Sequence, residues 1–407
     1  MSVTKVSSLH IYPVKSTAGI SLPHAKVEEL GLAFDRRFIV SDPAGLFITA
    51  RTEPTLCLVK TNITDQGLTL SAPNMSTLIL LYDEFTNQYR SVTVWGDEVS
   101  GQLCSSIANA WFSDYLKRPC QLLFFGENSL RERKPNTEKA RKLAFADGYP
   151  LLLISQASLD NLNSRLLDKC LDGNQQQAVS MAQFRPNIVV DNCLPFAEDG
   201  WQHIRIGEVE FKVSKPCERC IFTTVNPHTG EKNSQQQPLR TLKSFRRNHQ
   251  GEVLFGQNLI ALNSGQINQG DQLTVISKQK PPLLILPDLA SDNSPVPLNV
   301  KNDNVVTKSV NKKLNIFFEK WNKNYQIPSL SQKTKDKPKS LLENGEDAGL
   351  ILPYSCRAGM CGRCKAKLVS GEVEQSSSDG LTAQEKQEGY ILCCSAIATS
   401  NVVIKHK

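Results

Sequence analysis

The sequence predicts a mainly β protein with α+β character, built as consecutive domains, and three observations carry that reading. The first ninety residues are short β-branched runs divided by Asp, Pro, Gly and Asn turns. Residues 143–277 mix strands with an amphipathic helix and show no βαβ repeat. Past a proline-rich stretch, a third region alternates apolar positions and then carries closely spaced cysteines.

The elements follow in order. "KVSSLHIYPV", "RRFIVSD", "LFITAR", "LCLVKTNIT", "LTLSAP" and "YRSVTVWG" read as strands whose even spacing fits a barrel or sandwich. "SGQLCSSIANAWFSDYLK" reads as a helix with a serine start. "YPLLLISQ" is a buried strand, and "ASLDNLNSRLLDKC" an amphipathic helix that Ser155 or Ser158 can cap. "PNIVVDN", "GWQHIRIGEVEFKVSKP", "CIFTTV" and "LFGQNLIALNSGQINQGDQLTVI" continue the strands. Residues 278–311 hold five prolines among Asn, Ser and Asp, the composition of a semi-rigid linker. "KLNIFFEKWNKNYQI" opens a new domain, and "KSLLENGEDAGL" is a helix with Gly349 at its stop.

Length and composition bound the function. At 407 residues the chain exceeds one ordinary core. Hydrophobic residues at 40% and charged residues at 21% describe a soluble globular protein, and no apolar run approaches the roughly 18 to 20 residues of a membrane span. The N-terminus lacks a signal peptide's apolar segment, so a cytoplasmic location is expected. Residues 312–407 hold 15 Lys and Arg against 10 Asp and Glu. That excess fits docking of an acidic protein, or ordinary solvated charge, and is too dilute for a nucleic-acid polymer.

Twelve cysteines in a reducing compartment point to metal or redox work rather than a disulfide frame. Cys57, Cys104, Cys120, Cys170 and Cys193 are isolated and read as small buried apolar side chains. "CRAGMCGRC" places Cys356, Cys361 and Cys364 at C-x4-C-x2-C spacing, with Cys394 following in "YILCCSA". This is the plant-type [2Fe–2S] ferredoxin pattern. Three thiolates on one tight loop wrap a small cluster, glycines turn backbone N–H groups toward it, and a later strand supplies the fourth ligand. A zinc site of four cysteines would more naturally use two C-x2-C knuckles. The order of helix, loop and strand resembles plant-type ferredoxins, which implies a β-grasp fold, with Cys394 as ligand and Cys393 as its packed neighbour.

The remaining pair, Cys217 and Cys220 in "SKPCERCIFTTV", fits neither a zinc knuckle nor a dithiol at a helix start. No G-x-G-x-x-G or Walker loop offers a flavin, nicotinamide or nucleotide site. "HIYPVKS", "DRRFIV", "TARTEPTL", "FRPNIVV", "AEDGW", "CERCIFTTVNPHTGE" and "PLRTLKSFR" resemble, in order, the motifs of MOSC-domain molybdenum cofactor proteins, most closely the amidoxime-reducing branch. With the ferredoxin tail, the chain resembles bacterial MOSC–ferredoxin proteins. The resemblance implies a MOSC N-terminal β-barrel domain over 1–120, a β-rich MOSC domain over 121–277, a linker over 278–311 and a β-grasp [2Fe–2S] domain over 312–407.

It further implies that Cys220 is the thiolate ligand of molybdenum and that Cys217 is not a ligand. Lys15, Ser16, Arg36, Arg185, Asn187 and Arg219 become the expected contacts of the pterin cofactor, whose phosphate needs cationic and N–H donors. Arg36 is preferred to Arg37 because it directly follows Asp35. Asp147 aligns with an acidic residue near the metal and is expected to relay protons. The implied function is reduction of small N-hydroxylated substrates, with an external flavoprotein, an acidic flavodoxin-like domain for example, feeding the [2Fe–2S] cluster. The rival readings are a MOSC sulfur carrier of the cofactor-sulfurase type, and a non-catalytic electron-transfer module.

Overall fold

Where the sequence is continuously apolar, as in Leu151–Ser155, every residue of the strand is buried, as expected for a strand covered on both faces. That strand lies inside an eight-stranded sheet of a computed structural model. The structure describes residues 3–95, 97–133, 141–168, 177–249, 251–285, 314–327, 338–350, 352–354, 359, 362–376, 378 and 380–406. The chain folds as two units, Met1–Asn248 with Val253–Leu283, and His249–Glu252 with Leu284–Lys407.

In the larger unit the sheet runs Ile20–Leu22, Lys5–Ile11, Ile188–Asp191, Leu151–Ser155, Leu254–Ala261, Val209–Glu218, Trp201–Ile206, Leu273–Lys278. Leu151–Ser155 and Ile188–Asp191 pair in parallel, and the helix Gln156–Asp168 lies on the connection between them. Ser155 Oγ accepts from the Ser158 N–H at 3.1 Å and so caps this helix, while the Ser158 hydroxyl lies 2.7 Å from Ser155 Oγ and 2.8 Å from Glu198 Oε1. Because Lys5–Ile11 pairs with Ile188–Asp191, hydrogen bonding crosses the expected division at residue 120, and Val6, Leu9 and Ile11 share one core with Ile204, Phe211 and Leu259.

A second sheet joins Phe38–Ser41, Gln121–Phe124, Asp97–Leu103 and Tyr89–Val94. A third joins Lys60–Ile63, Gly67–Ser71 and Leu78–Leu81. Together with the helix Ser106–Leu116 they enclose Phe38, Leu68, Phe112 and Leu122. That helix begins later than expected: its first predicted residues belong to the strand Asp97–Leu103, and Ser105 caps it by accepting from the Ala108 N–H at 3.1 Å. "LFITAR" forms only isolated bridges, Leu46 to Thr93 and Phe47 to Ser41, and Pro54–Leu58 is a 3₁₀ turn rather than strand.

The expected strand "CIFTTV" is also corrected. Ile221–Thr224 is a 3₁₀ turn with Cys220 at its N-cap, directly past the strand Val209–Glu218. The cause is local: the Thr223 and Thr224 hydroxyls donate to the Cys220 and Ile221 carbonyls at 2.9 and 2.8 Å. Such back-bonding competes with a sheet ladder and here outweighs β propensity.

The smaller unit has a five-stranded sheet ordered Lys323–Gln326, Asn315–Phe318, Val402–Lys405, Lys365–Ser370, Tyr390–Leu392. The helix Leu341–Asp347 carries a reciprocal Ser340–Glu343 capping box, and Gly349 past its end adopts φ of 78° as its place at the stop predicts. Leu341 and Leu342 bury against Ile316, Phe318 and Ile404, the packing of a helix grasped by a sheet. Most of the expected linker lies outside the described residues. Among the described residues no helix is long and apolar enough to cross a membrane.

Candidate functional site

Six segments, most of them bordering the strands just described, bring the expected residues of the larger unit together. Tyr12–Thr17 follows Lys5–Ile11, Asp35–Arg37 precedes Phe38–Ser41, and Arg185–Asn187 precedes Ile188–Asp191. Cys217–Cys220 ends Val209–Glu218, Asp147 precedes Leu151–Ser155, and Arg51 lies just before the turn Pro54–Leu58.

One half is built on the ring of Tyr12. The guanidinium carbons of Arg36 and Arg185 lie 4.4 and 4.0 Å from its centroid. Arg36 donates to Asp35 Oδ2 at 2.6 Å, Asn187 Oδ1 at 3.2 Å and the Arg185 carbonyl at 3.2 Å. Arg36 and Arg185 have φ of 48° and 56°, and Ser16 has φ of 74°. Three left-handed non-glycine residues in one site store strain of order 1–3 kcal/mol each. Arg185 Nη1 donates to the Thr17 carbonyl at 2.5 Å, whereas its buried Nη2 has no hydrogen-bond partner among the described residues. Burial, reinforced by the charge of Arg36, lowers the Arg185 pKa to about 10. Burial pushes the Tyr12 phenol up to about 12, so the platform stays neutral.

Arg37 turns away and donates to Glu28 Oε2 at 2.9 Å, so Arg36 is the arginine of the pair that joins the site. Asn187 ties strands together as well as meeting Arg36. Its Oδ1 accepts from the Leu152 N–H at 3.1 Å as well as from Arg36, and its Nδ2 donates to the His10 carbonyl at 3.1 Å. The geometry gives it the role of orienting Arg36.

The other half surrounds Cys220. Arg51 Nε donates to Cys220 Sγ at 3.3 Å, its Nη2 donates to Asp147 Oδ2 at 3.0 Å, and its guanidinium lies 4.5 Å from the Trp95 ring centroid. Asp147 Oδ1 accepts from Trp95 Nε1 at 2.9 Å and is ion-paired with Lys15 Nζ, which also donates to the Phe145 carbonyl at 2.7 Å. Burial acts to raise the Asp147 pKa, but Lys15 and Arg51 outweigh it and hold the carboxyl well below its ordinary range. The Asp147 side chain is 54% exposed, so the adjacent charges set the direction. Lys15 is buried, and burial lowers its pKa to about 8 against the pull of Asp147.

Arg219 and Phe222, which flank Cys220, join the halves. Arg219 Nη2 donates to the Phe184 carbonyl at 2.7 Å, its Nη1 donates to Cys217 Sγ at 3.0 Å, and its buried Nε has no partner among the described residues. The Phe222 centroid lies 5.4 Å from Arg185. The two cysteines of "CERC" therefore have different surroundings. Cys217 is held by Arg219 with its thiol pKa raised by burial, and Cys220 is partly buried and faces Arg51. The buried Lys15, Arg51 and Arg219 and the part-buried Arg36 and Arg185 meet the carboxylates Asp35 and Asp147, a surplus of positive charge that suits an anion. Arg51, Trp95 and Tyr12 were not among the expected site residues. Arg51 and Tyr12 nevertheless stand inside the quoted motifs "TARTEPTL" and "HIYPVKS".

In the smaller unit Cys356 and Cys361 lie outside the described residues. Cys364 and Cys394 are close, with the Cys394 N–H 3.4 Å from Cys364 Sγ, and the Gly359 N–H donates to Cys394 Sγ at 3.2 Å. Gly359 and Gly362 have φ of 69° and 72°, as a loop turning N–H groups inward requires. Cys393 Sγ points elsewhere, 3.6 Å from His406 Nε2 in the core.

Fold and site define a MOSC-domain protein carrying a [2Fe–2S] domain. The chain matches the MOSC N-terminal beta barrel domain over residues 3–119, the MOSC domain over 140–274 and the 2Fe-2S iron-sulfur cluster binding domain over 328–399. Mitochondrial amidoxime-reducing component 1 of Mus musculus is 36% identical over 294 residues, covering 68% of this chain and 83% of that protein. Its Homo sapiens counterpart is likewise 36% identical, over 68% and 84%. Mitochondrial amidoxime reducing component 2 of Bos taurus is 37% identical over 254 residues, 60% of this chain and 73% of that one. Among solved structures, a ferredoxin reductase in carbazole 1,9a-dioxygenase aligns at 29% identity over 24% of this chain and 28% of that chain, with a TM-score of 0.20. The chain belongs to the MOSC family of amidoxime-reducing components and is an oxidoreductase with a [2Fe–2S] domain.

Proposed function

We propose that the chain is a molybdenum-dependent reductase of N-hydroxylated compounds, namely amidoximes, hydroxylamines and N-hydroxylated bases. The observation that carries this reading is the surplus of buried and part-buried cations around one partly buried thiol, ending in the buried Nη2 of Arg185, which has no hydrogen-bond partner among the described residues. A molybdenum pterin fits that donor set: Cys220 offers a soft sulfur, and Arg185, Arg36 and Arg219 offer N–H donors to an anionic phosphate. When bound, the cofactor supplies a two-electron centre, so that an amidoxime plus two electrons and two protons yields the amidine and water.

The protein's own residues then have separable tasks. Arg51 holds the Cys220 sulfur and the Asp147 carboxylate in one register. Asp147 stays ionised and acts as acceptor, so the proton sits on Lys15 Nζ and reaches the substrate through the Lys15–Asp147 pair. Electrons enter from an acidic flavoprotein at the [2Fe–2S] domain, whose excess of Lys and Arg would receive it.

Two measurements follow. Full-length protein supplied with reduced donor should convert benzamidoxime to benzamidine, and a molybdenum-loaded preparation with no turnover would remove the proposal. Lys15 carries its proton below about pH 8 and loses it above, so kcat should fall as pH rises through that value. In Lys15→Arg the charged group keeps its proton to far higher pH, so the alkaline limb should leave the range of about pH 6 to 10. An unchanged limb in that variant would assign it to another group.

A further inference from the structure

The Arg131 side chain makes five hydrogen bonds among the described residues, and the reaction scheme above gives it no part. It is 3% exposed. Its Nε and Nη2 both donate to Asp97 Oδ2, at 2.9 and 2.7 Å. Its Nη1 donates to the carbonyls of Ala144 at 3.0 Å and Ala146 at 2.5 Å, and its Nη2 reaches the Asp147 carbonyl at 3.3 Å. Lys15 takes the Phe145 carbonyl between them. Four consecutive backbone carbonyls, 144 to 147, thus each accept from a buried cation. The N–H groups of the same segment are also fixed, Leu143 on the Arg131 carbonyl and Phe145 on the Arg36 carbonyl, both at 3.0 Å.

This segment belongs to no helix or strand, so its shape rests on these side chains rather than on a ladder. Its last residue presents the Asp147 carboxylate to Lys15, Arg51 and Trp95. The partner carboxylate matters equally. Asp97 is two residues past Trp95, which has φ of 55°, so the pair also fixes the turn that aims the Trp95 indole at Asp147. A single ion pair, buried on its Arg131 side, therefore holds both ends of the Trp95–Asp147 contact.

We propose that Arg131, anchored on Asp97, is a positioning residue for the reductase reaction, fixing the 144–147 backbone and the Trp95 turn so that Asp147 meets Lys15 and Arg51. The inference rests on the reading of the site around Cys220 given above. A purely architectural arginine would alter stability and leave the reaction coupled to nothing in particular. An arginine that acts through Asp147 has a signature that stability does not reproduce, non-additivity with the residue it positions.

The test is a double-mutant cycle in the full chain, comparing Arg131→Lys, Asp147→Asn and the pair. Displacing a positioned group by about 1 Å costs roughly a hundredfold in rate, so Arg131→Lys should lower kcat by about 10- to 100-fold and change KM far less. In the Asp147→Asn background the same substitution should change kcat by less than about twofold. Molybdenum per chain should be unaffected, because the Arg131 hydrogen bonds to Asp97 and to the 144–147 backbone lie apart from Cys220. Equal losses in both backgrounds, unchanged kcat in folded Arg131→Lys protein, or loss of molybdenum would each overturn the proposal. Should Arg131→Lys fail to fold, Asp97→Asn removes the anchoring charge at nearly constant volume and is read by the same cycle. Cys220→Ala separates the two levels: wild-type turnover in it removes the reading of the site itself. An inactive Cys220→Ala beside a fully active Arg131→Lys removes only the inference about Arg131.

Discussion

Cys220→Ala is expected to lose molybdenum and all turnover while keeping the [2Fe–2S] spectrum, whereas Cys217→Ser keeps both centres and most activity. The spacing of the two cysteines would place them in one dithiol, but their surroundings separate them. Cys220 ends the strand Val209–Glu218 at the N-cap of a 3₁₀ turn, partly buried, with Arg51 Nε 3.3 Å from its sulfur. That sulfur is the soft donor the proposed metal would take. The Cys217 thiol is raised by burial and spent on Arg219, a contact that a serine hydroxyl can still accept. Removing Cys220 deletes the proposed ligand, with no other cysteine at its position. Removing Cys217 only loosens Arg219, which retains its bond to the Phe184 carbonyl. Equal loss of molybdenum in both variants would mean that the pair acts as a unit after all.

The second large effect is expected at the adjacent cysteines of the smaller unit. Cys394→Ala should bleach the cluster and stop electron entry while leaving molybdenum in place. Cys393→Ala should keep the cluster and lower stability by about 1–2 kcal/mol, the cost of a small core deletion. Their side chains diverge: Cys394 Sγ receives the Gly359 N–H beside Cys364, whereas Cys393 Sγ is fully buried in the core against His406. Visible absorbance and iron content of the two purified variants decide the matter. A bleached Cys393→Ala beside an intact Cys394→Ala would reverse the assignment.

What the sequence disclosed depends on how local each signal is. The Gly349 stop and the apolar run Leu151–Ser155 are short-range patterns, and their elements are where those patterns place them. "CIFTTV" misled because β-branched threonines favour a strand unless their hydroxyls find the backbone, and here they do. The N-terminal strand Lys5–Ile11 pairs with Ile188–Asp191, a partner nearly two hundred residues away that no local pattern announces. The site shows the same limit. Arg51 and Cys220 are 169 residues apart, and Arg36 and Asn187 are 151 apart. The motifs identified most of the residues, but only the fold shows that Asn187 orients Arg36 and that Asp147 is shared by Lys15, Arg51 and Trp95.

The central claim is that one chain holds a molybdenum centre at Cys220 and, in its smaller unit, an iron–sulfur centre. Elemental analysis of the full-length protein, purified from molybdate-supplied cells, tests it most directly. The account predicts about one molybdenum and about two irons per chain, the latter from a single [2Fe–2S] cluster. Protein with its full iron and no molybdenum would contradict it, and would leave the larger unit as a sulfur carrier or a docking module.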